Sequence, residues 1–343
     1  MKYLITGGAG FIGSHLADSL IKDGHHVHIF DNLSTGNLVN INHLFGRDRF
    51  SSTIGDVMDY HTLEQSISQC DQIFHLAAAV GVKLIMEKPV ETLITNVQGT
   101  ENVLKLANHY KKKVLVASTS EVYGKILNGD NTNLLSEDGD WMLGAASKRR
   151  WAYACSKALD EFLGLAYYDE YDLPVMIARF FNTVGPRQSG RYGMVIPRFV
   201  ERALRNEPII VHGTGEQSRS FTHVDDCVRA IRLLMDSNGL EGEVFNVGNY
   251  NEITINQLAQ RIIELSGSSS EIKHISYEEA YGKGFEDMER RTPDLAKINA
   301  AIGYEPTYRI DEILSSVIEH SQKKLHINEN GLKRKDTQLT NVA

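Results

Sequence analysis

Cysteine is scarce and scattered in this sequence: Cys70, Cys155 and Cys227 are all there is in 343 residues. An odd, dispersed set excludes a disulfide framework and lacks the spacing of a zinc site, so free thiols and no bound metal are expected. Long apolar runs are missing too. None approaches the roughly 18 residues that a membrane span needs, and the N-terminus enters its first apolar run without a signal-peptide pattern. No membrane partner and a cytoplasmic location are therefore expected. Positive charge is in deficit: 36 Lys and Arg against 44 Asp and Glu give a formal net charge of -8. That removes any general attraction for nucleic acid and leaves an anionic ligand to local cations. What remains, 42% apolar and 23% charged residues, is the make-up of a soluble globular chain, and the length suggests about two domains.

What the chain does have is glycine at one telling place. Lys2 to Thr6 is a β-prone run, Gly7-Gly8-Ala9-Gly10-Phe11-Ile12-Gly13 comes next, and Phe11 to Asp23 carries Ile12, Leu16, Leu20 and Ile21 near helical spacing. This predicts strand, tight turn and helix. Gly7 relieves the turn, Gly10 lets backbone N–H groups approach a pyrophosphate, and Gly13 lets the helix pack closely. The pyrophosphate then sits at the positive end of the helix. A second strand, Val27 to Phe30, ends at Asp31, whose carboxylate suits the hydroxyls of an adenosine ribose. No arginine in Asp31 to Gly36 could neutralise a 2'-phosphate, so NAD is favoured over NADP. A glycine turn without any ligand is the plainer alternative until the later motifs are counted.

Further strand candidates at Gln72 to Leu76, Val114 to Ala117 and Val175 to Ala178 alternate with helical stretches such as Pro89 to Tyr110 and Ala154 to Tyr171. Such alternation predicts an α/β fold with a doubly wound parallel Rossmann sheet and a smaller C-terminal substrate-binding lobe. Ligands collect at the carboxyl ends of such strands. The expected division is 1–179 for the dinucleotide-binding domain, with a returning segment near 221–248. Segments 180–220 and 249–325 make the substrate lobe, with helices near Val195 to Asn206, Thr254 to Ser266 and Ile310 to Lys324. The polar stretch 326–343 has no apolar periodicity and is expected to be disordered.

Tyr153-Ala154-Cys155-Ser156-Lys157 completes a series that includes the glycine loop, Gly55-Asp56, His75-Leu76-Ala77-Ala78, Asn96 to Thr100, Ser118 to Gly124 and Arg179-Phe180-Phe181-Asn182. With these residues the chain resembles the extended short-chain dehydrogenase/reductase family, in particular its nucleotide-sugar epimerases, dehydratases and decarboxylases, over roughly residues 1 to 320. The resemblance implies that Asp56 and Val57 contact the adenine, that Ala77 and Ala78 line the dinucleotide path, and that Lys157 bonds the nicotinamide ribose. Phe11, Ile12, Asn32, Ser34, Gly36, Leu76, Asn96, Ser118 and Phe180 complete the expected cofactor set. A tyrosine loses its proton near pH 10, but an ammonium and an oxidised nicotinamide beside it favour the phenolate. Tyr153 can then take the proton of a sugar 4-hydroxyl as C4 is oxidised, with Thr119 holding the same oxygen. On the substrate side the resemblance implies Ser120, Asn182, Arg191 and Val195 near the sugar and nucleotide, Arg219 and Arg291 clamping the diphosphate, and Asp294 near a ribose. His75 and His223 are read as structural.

Oxidation at C4 opens more than one path, because a 4-ketone both acidifies the hydrogen on C5 and stabilises the carbanion left by loss of a C6 carboxylate. Glu121 is the discriminating residue. The Ser-Thr-Ser-Glu-Val-Tyr-Gly segment resembles that of sugar-nucleotide 4,6-dehydratases and of UDP-glucuronate decarboxylases. The expectation is an NAD-dependent UDP-sugar dehydratase, on UDP-N-acetylglucosamine as a first guess, with Glu121 removing the C5 proton. A UDP-glucuronate-type decarboxylase and a UDP-sugar 4-epimerase are the alternatives. A ketone reductase using external NAD(P)H and a non-catalytic dinucleotide sensor are the readings from other classes. The resemblance also implies a homodimer built on the helices at Pro89 to Tyr110 and Trp151 to Tyr171.

Overall fold

The structure is a computed structural model and describes residues 1–81, 87–125, 134–148, 151–190, 194–281 and 290–340. Thirteen strands lie among the described residues: β1 (Lys2–Thr6), β2 (His26–Asp31), β3 (Phe50–Ile54), β4 (Gln72–His75), β5 (Lys113–Thr119), β6 (Val175–Phe180), β7 (Thr183–Val184), β8 (Ile209–His212), β9 (Ser218–Ser220), β10 (Thr222–His223), β11 (Val244–Val247), β12 (Glu252–Thr254) and β13 (Ile272–Ile275). Seven form one parallel sheet in the order β11-β6-β5-β4-β1-β2-β3. The order reverses between β1 and β4, and that switch point opens the crevice in which doubly wound sheets hold ligands.

Both faces of the sheet are covered, and the sequence shows it as period-two alternation within apolar runs. Tyr3, Ile5, Phe74, Leu115, Met176 and Phe245 face one side, under helices α1 (Phe11–Lys22) and, further along the chain, Val224–Asp236. Leu4, Ile73, Val114, Val116, Val175 and Ile177 face the other, under α2 (Tyr60–Ser68), α3 (Pro89–His109) and α4 (Trp151–Tyr171). At about 1.5 to 3 kcal/mol per fully buried side chain, these two layers dominate the stabilisation of the sheet. The smaller lobe has its own core, in which α5 (Val195–Leu204), β8, α7 (Ile255–Ser266) and the start of the final helix pack Phe199, Val200, Ile209, Leu258, Ile262, Ile313, Leu314 and Val317 together. The Val224–Asp236 helix is α6, and α8 (Tyr277–Tyr281), α9 (Ala296–Ile302) and α10 (Ile310–Thr340) complete the set.

The last helix departs from expectation: it continues to Thr340, through much of the stretch expected to lack structure. Lys, Glu, Gln and Leu there are good helix formers, and no proline interrupts them. Among the described residues no helix is long and apolar enough to cross a membrane, and no group of His, Cys, Asp and Glu is arranged to hold a metal. The three cysteines are free.

Candidate active site

The glycine loop is closed by contacts that no larger residue permits. Gly7 has φ +70°, and a Cβ on it would meet the Ala77 nitrogen at 2.8 Å; a Cβ on Gly13 would lie 2.4 Å from the Gly7 carbonyl oxygen. Helix α1 starts at Phe11 with no side-chain cap and no acidic residue in its first turn, so the N–H groups around Phe11 and Ile12 are left for an anion. Asp31, at the end of β2, accepts hydrogen bonds from the Ala9 and Leu33 nitrogens at 2.9 and 2.7 Å. It thus ties the loop down and keeps lone pairs toward the cleft. Burial pushes its carboxyl pKa up, against those backbone bonds. Gly36 is needed there, since its Cβ would come within 2.8 Å of the same carboxylate.

Asn32 donates to Asp56 at 2.9 Å and accepts from the Ser34 nitrogen at 2.9 Å. Asp56 also accepts from the Met58 nitrogen, which fixes the far end of the cleft beside the buried Val57. The cleft has a volume of about 1090 Å³ and runs from this end past Gly7, Gly10, Gly13, Leu76, Ala77 and Ala78 to Ser118, Thr119, Tyr153, Lys157 and Phe180. A glycine cradle, an uncapped helix start, an acidic strand end and a long groove between lobes together fit a dinucleotide such as NAD.

Tyr153, Lys157 and Asp160 fall at i, i+4 and i+7 on α4 and so share one face, all buried. The Thr119 hydroxyl accepts from the Glu121 nitrogen at 3.2 Å and hydrogen-bonds the Tyr153 phenol. Burial raises the Tyr153 pKa, the charges of Glu121 and Asp160 raise it further, and Thr119 and Arg291 act the other way. Lys157 Nζ lies 2.6 Å from Asp160 Oδ2. Beneath them Arg179 holds Glu161 in a two-pronged pair, at 3.0 and 2.7 Å, and Ser118 donates to the same carboxylate. This fixes the Ser118 to Glu121 segment to α4.

Arg291 lies where the smaller lobe meets that segment. Its Nη1 is 2.9 Å from Glu121 Oε1 and 3.2 Å from Ser120 Oγ, while its buried Nε has no hydrogen-bond partner among the described residues. The expected diphosphate clamp is therefore, in this form, an arginine engaged with the discriminating glutamate. Arg219 and Val195 line the same cleft, as does Asn182, which donates to the Ser220 carbonyl at 2.8 Å. Glu252 ties the two arginine-bearing segments together. It accepts from Ser218 at 2.9 Å and from Arg290 Nε at 2.8 Å, and the Arg290 guanidinium holds its carboxyl pKa down at about 2.

Two residues expected at the site lie outside the cleft lining, and a third is not among the described residues. Asp294 is absent from the cleft lining; its carboxylate accepts from the Ala296 nitrogen at 2.9 Å and shapes the start of α9, as an aspartate two residues before a backbone N–H commonly does. Asn96 is buried and bridges the Ala79 nitrogen to the Ser156 hydroxyl at 2.8 and 3.1 Å, so it shapes the cleft wall rather than lining it. Arg191 lies outside the described residues. His75 is buried between the Thr6 and Thr100 hydroxyls, and burial drives its pKa down to about 3. His223 caps α6 and stacks on Tyr308 with ring centroids 3.9 Å apart. Arg198, in a stretch that resembles the diphosphate and base-binding loops of UDP-sugar enzymes, also lines the cleft, and so do His212, Gln217 and Tyr277, which sequence reasoning missed; the one available signal was that Gln217 sits two residues before Arg219 on the same short strand region.

A family model for GDP-mannose 4,6 dehydratase matches residues 4–317. The chain is 44% identical over 319 residues to UDP-N-acetyl-alpha-D-glucosaminuronate decarboxylase of Bacillus cytotoxicus, covering 93% of this chain and 97% of that one. It is 37% identical over 324 residues to UDP-glucuronic acid decarboxylase 1 of Xenopus tropicalis, covering 94% and 73% of the two chains. The crystal structure of UDP-glucuronic acid 4-epimerase from Bacillus cereus in complex with UDP-glucuronic acid and NAD matches with a TM-score of 0.83 at 28% identity, over 94% of this chain and 99% of that one. This chain therefore belongs to the GDP-mannose 4,6 dehydratase family, among the extended short-chain dehydrogenases/reductases that work on nucleotide sugars.

Proposed function

We propose that this protein is an NAD-dependent decarboxylase of a UDP-hexuronic acid, with UDP-N-acetylglucosaminuronate the first substrate to try. The observation that carries the reading is Arg291, a buried guanidinium whose Nε has no hydrogen-bond partner among the described residues and whose charge acts on the Tyr153 phenol. A C4 hydroxyl set against Thr119 and Tyr153 brings C6 to within reach of the arginine, and a carboxylate there is the group a guanidinium fork suits best. The similarity to two uronate decarboxylases supports the same choice. Decarboxylation, the alternative in the sequence reading, is thus better supported than the dehydration expected from Glu121.

The N–H groups at Phe11 and Ile12 would hold the NAD pyrophosphate, Asp31, Asn32 and Ser34 the adenosine ribose, Asp56 and Val57 the adenine, and Ser118, Lys157 and Phe180 the nicotinamide end. The chemistry supplied by NAD+ when held there is removal of the C4 hydride and its later return. Tyr153 takes the proton of the 4-hydroxyl, and Thr119 keeps that oxygen in place. The resulting ketone stands β to the C6 carboxylate. Breaking the C5–C6 bond then sends its electron pair toward the C4 oxygen, carbon dioxide leaves, and C5 takes a proton from solvent. Arg291 and Ser120 hold the carboxylate until that bond breaks, and Glu121 keeps the guanidinium aimed. Tyr153 returns its proton to the C4 oxygen at the end. Arg219 and Asn182 bind the diphosphate side.

The test is product mass after incubation with NAD+ and UDP-N-acetylglucosaminuronate, UDP-glucuronate or UDP-N-acetylglucosamine. Loss of carbon dioxide from a uronate is the expected outcome. Loss of water from UDP-N-acetylglucosamine would restore the dehydratase, and conversion without a mass change would make the protein an epimerase. We also infer a homodimer. Val90 and Ile94 on α3 and Leu159 and Phe162 on α4 are exposed by 44 to 68%, an apolar strip across two neighbouring helices that a second copy would cover.

A further inference from the structure

The Lys157 ammonium is paired with an acid on its own helix. Its Nζ is 2.6 Å from Asp160 Oδ2, one turn further along α4, and both side chains are almost wholly buried, at 3 and 0% exposure. We propose that Asp160 is a positioning residue: it holds the Lys157 ammonium as a counter-charge and so sets the pH at which Tyr153 becomes a base. An ammonium favours a nearby phenolate only to the extent that its charge is uncompensated. A carboxylate in direct contact cancels most of that charge and adds a negative one on the same helix face.

Two acids act on Tyr153, Glu121 first and Asp160 second, and Asp160 is the one in direct contact with the Lys157 ammonium. β4 contributes His75, which is neutral between two threonine hydroxyls. Glu161, next on α4, is taken up by Arg179 of β6. Beyond Tyr153, Glu121 is paired with Arg291. From α3 come uncharged groups, Thr100 acting on the Asp160 carboxylate and Asn96 bonded to Ser156. Asp160 Oδ1 itself has no close hydrogen-bond partner among the described residues. Burial pushes the Asp160 carboxyl pKa up, while the Lys157 ammonium and the Thr100 hydroxyl act the other way, so whatever draws the ammonium away acts on both charges at once. A cofactor ribose bonding Lys157 would draw the ammonium from Asp160 toward the cleft, and Tyr153 would ionise more readily as the cofactor seats. A site without its cofactor then keeps Tyr153 protonated.

The proposal rests on Tyr153 and Lys157 being the oxidation pair, not on the fate of the oxidised sugar. The test is an ultraviolet titration of tyrosinate in the NAD+ complex of full-length protein, with Tyr153→Phe subtracted to isolate the one phenol. In Asp160→Asn the Tyr153 ionisation should move about one unit to lower pH, and the acid limb of kcat/KM for whichever UDP-sugar is turned over should move with it. Equilibrium titration should show NAD+ still bound. Asp160→Ser, which leaves room for water, should shift the same way and serves if the amide variant does not fold. An unmoved ionisation, or one moved to higher pH because Lys157 has given up its proton, overturns the proposal. The titration needs no sugar, so failure of the decarboxylation assay and failure of this inference are separate events.

Discussion

Removing the Arg291 guanidinium should separate carboxylate recognition from cofactor binding. In Arg291→Met, kcat/KM for the UDP-uronate should fall by roughly two to three orders of magnitude, the usual loss when one member of a desolvated charge pair goes, while NAD+ affinity stays as it was. Steady-state kinetics and an NAD+ titration check both; a fall below about ten-fold, within what a rim contact costs, would take Arg291 off the carboxylate. At this scale the glycine loop and Asp31 were legible from residue types and spacing, while Thr119 and Lys157 rested on the family resemblance. Gly7, Gly13, Asp31, Thr119, Tyr153 and Lys157 sit together because each is bound to its spacing: a turn, a strand end or a helical i, i+4 pair. Asp294 and Asn96 lie outside the cleft lining, and nothing in their spacing marks that. A carboxylate or amide side chain satisfies local backbone groups as readily as a ligand, and nothing in a string of letters says which it will do. Asp160 went unremarked because an aspartate one turn after a lysine is usually a solvated pair on a helix surface.

The element most sensitive to a small change is the turn between β1 and α1. A methyl on Gly13 would press to 2.4 Å from the Gly7 carbonyl oxygen, which already accepts from the Gly10 nitrogen at 3.1 Å. Gly13→Ala should therefore cost about 1 to 3 kcal/mol of stability by overpacking and weaken NAD+ binding about ten-fold or more, as the α1 N-terminus tilts off the pyrophosphate. Chemical denaturation and equilibrium titration read the two effects, and wild-type values in both would show the loop to be slack. Strands with apolar faces on both sides were legible, because β1, β4, β5 and β6 are short runs of Val, Ile, Leu and Phe. The strand β3, Phe-Ser-Ser-Thr-Ile at the sheet edge, was not placed: an edge strand with one neighbour carries little of that pattern. Helix α6 was also missed as a helix. It falls in the segment expected to return to the sheet, and its apolar stripe of Val224, Val228, Ile231 and Met235 faces α1, a partner two hundred residues earlier that only the fold brings near.

For the whole molecule, the apolar strip on α3 and α4 leads to a direct expectation. Wild-type protein should scatter light as a dimer, and Phe162→Glu, which places a charge in the middle of the strip, should yield a folded monomer with an unchanged circular dichroism spectrum. A wild-type monomer across working concentrations would remove the interface. Sequence could offer only two amphipathic helices here, since which of their faces the chain itself covers depends on packing. The arrangement of the two cores has a consequence for synthesis. The seven-stranded sheet has all its strands once Val247 has left the ribosome, whereas the core of the smaller lobe lacks Ile313, Leu314, Val317 and Ile318 until the final helix emerges. Domains tend to fold as units while they are made, so a nascent chain passes through a stage in which its nucleotide crevice has a floor and no second wall. In that interval the growing protein could gather its cofactor before it had anywhere to put a sugar.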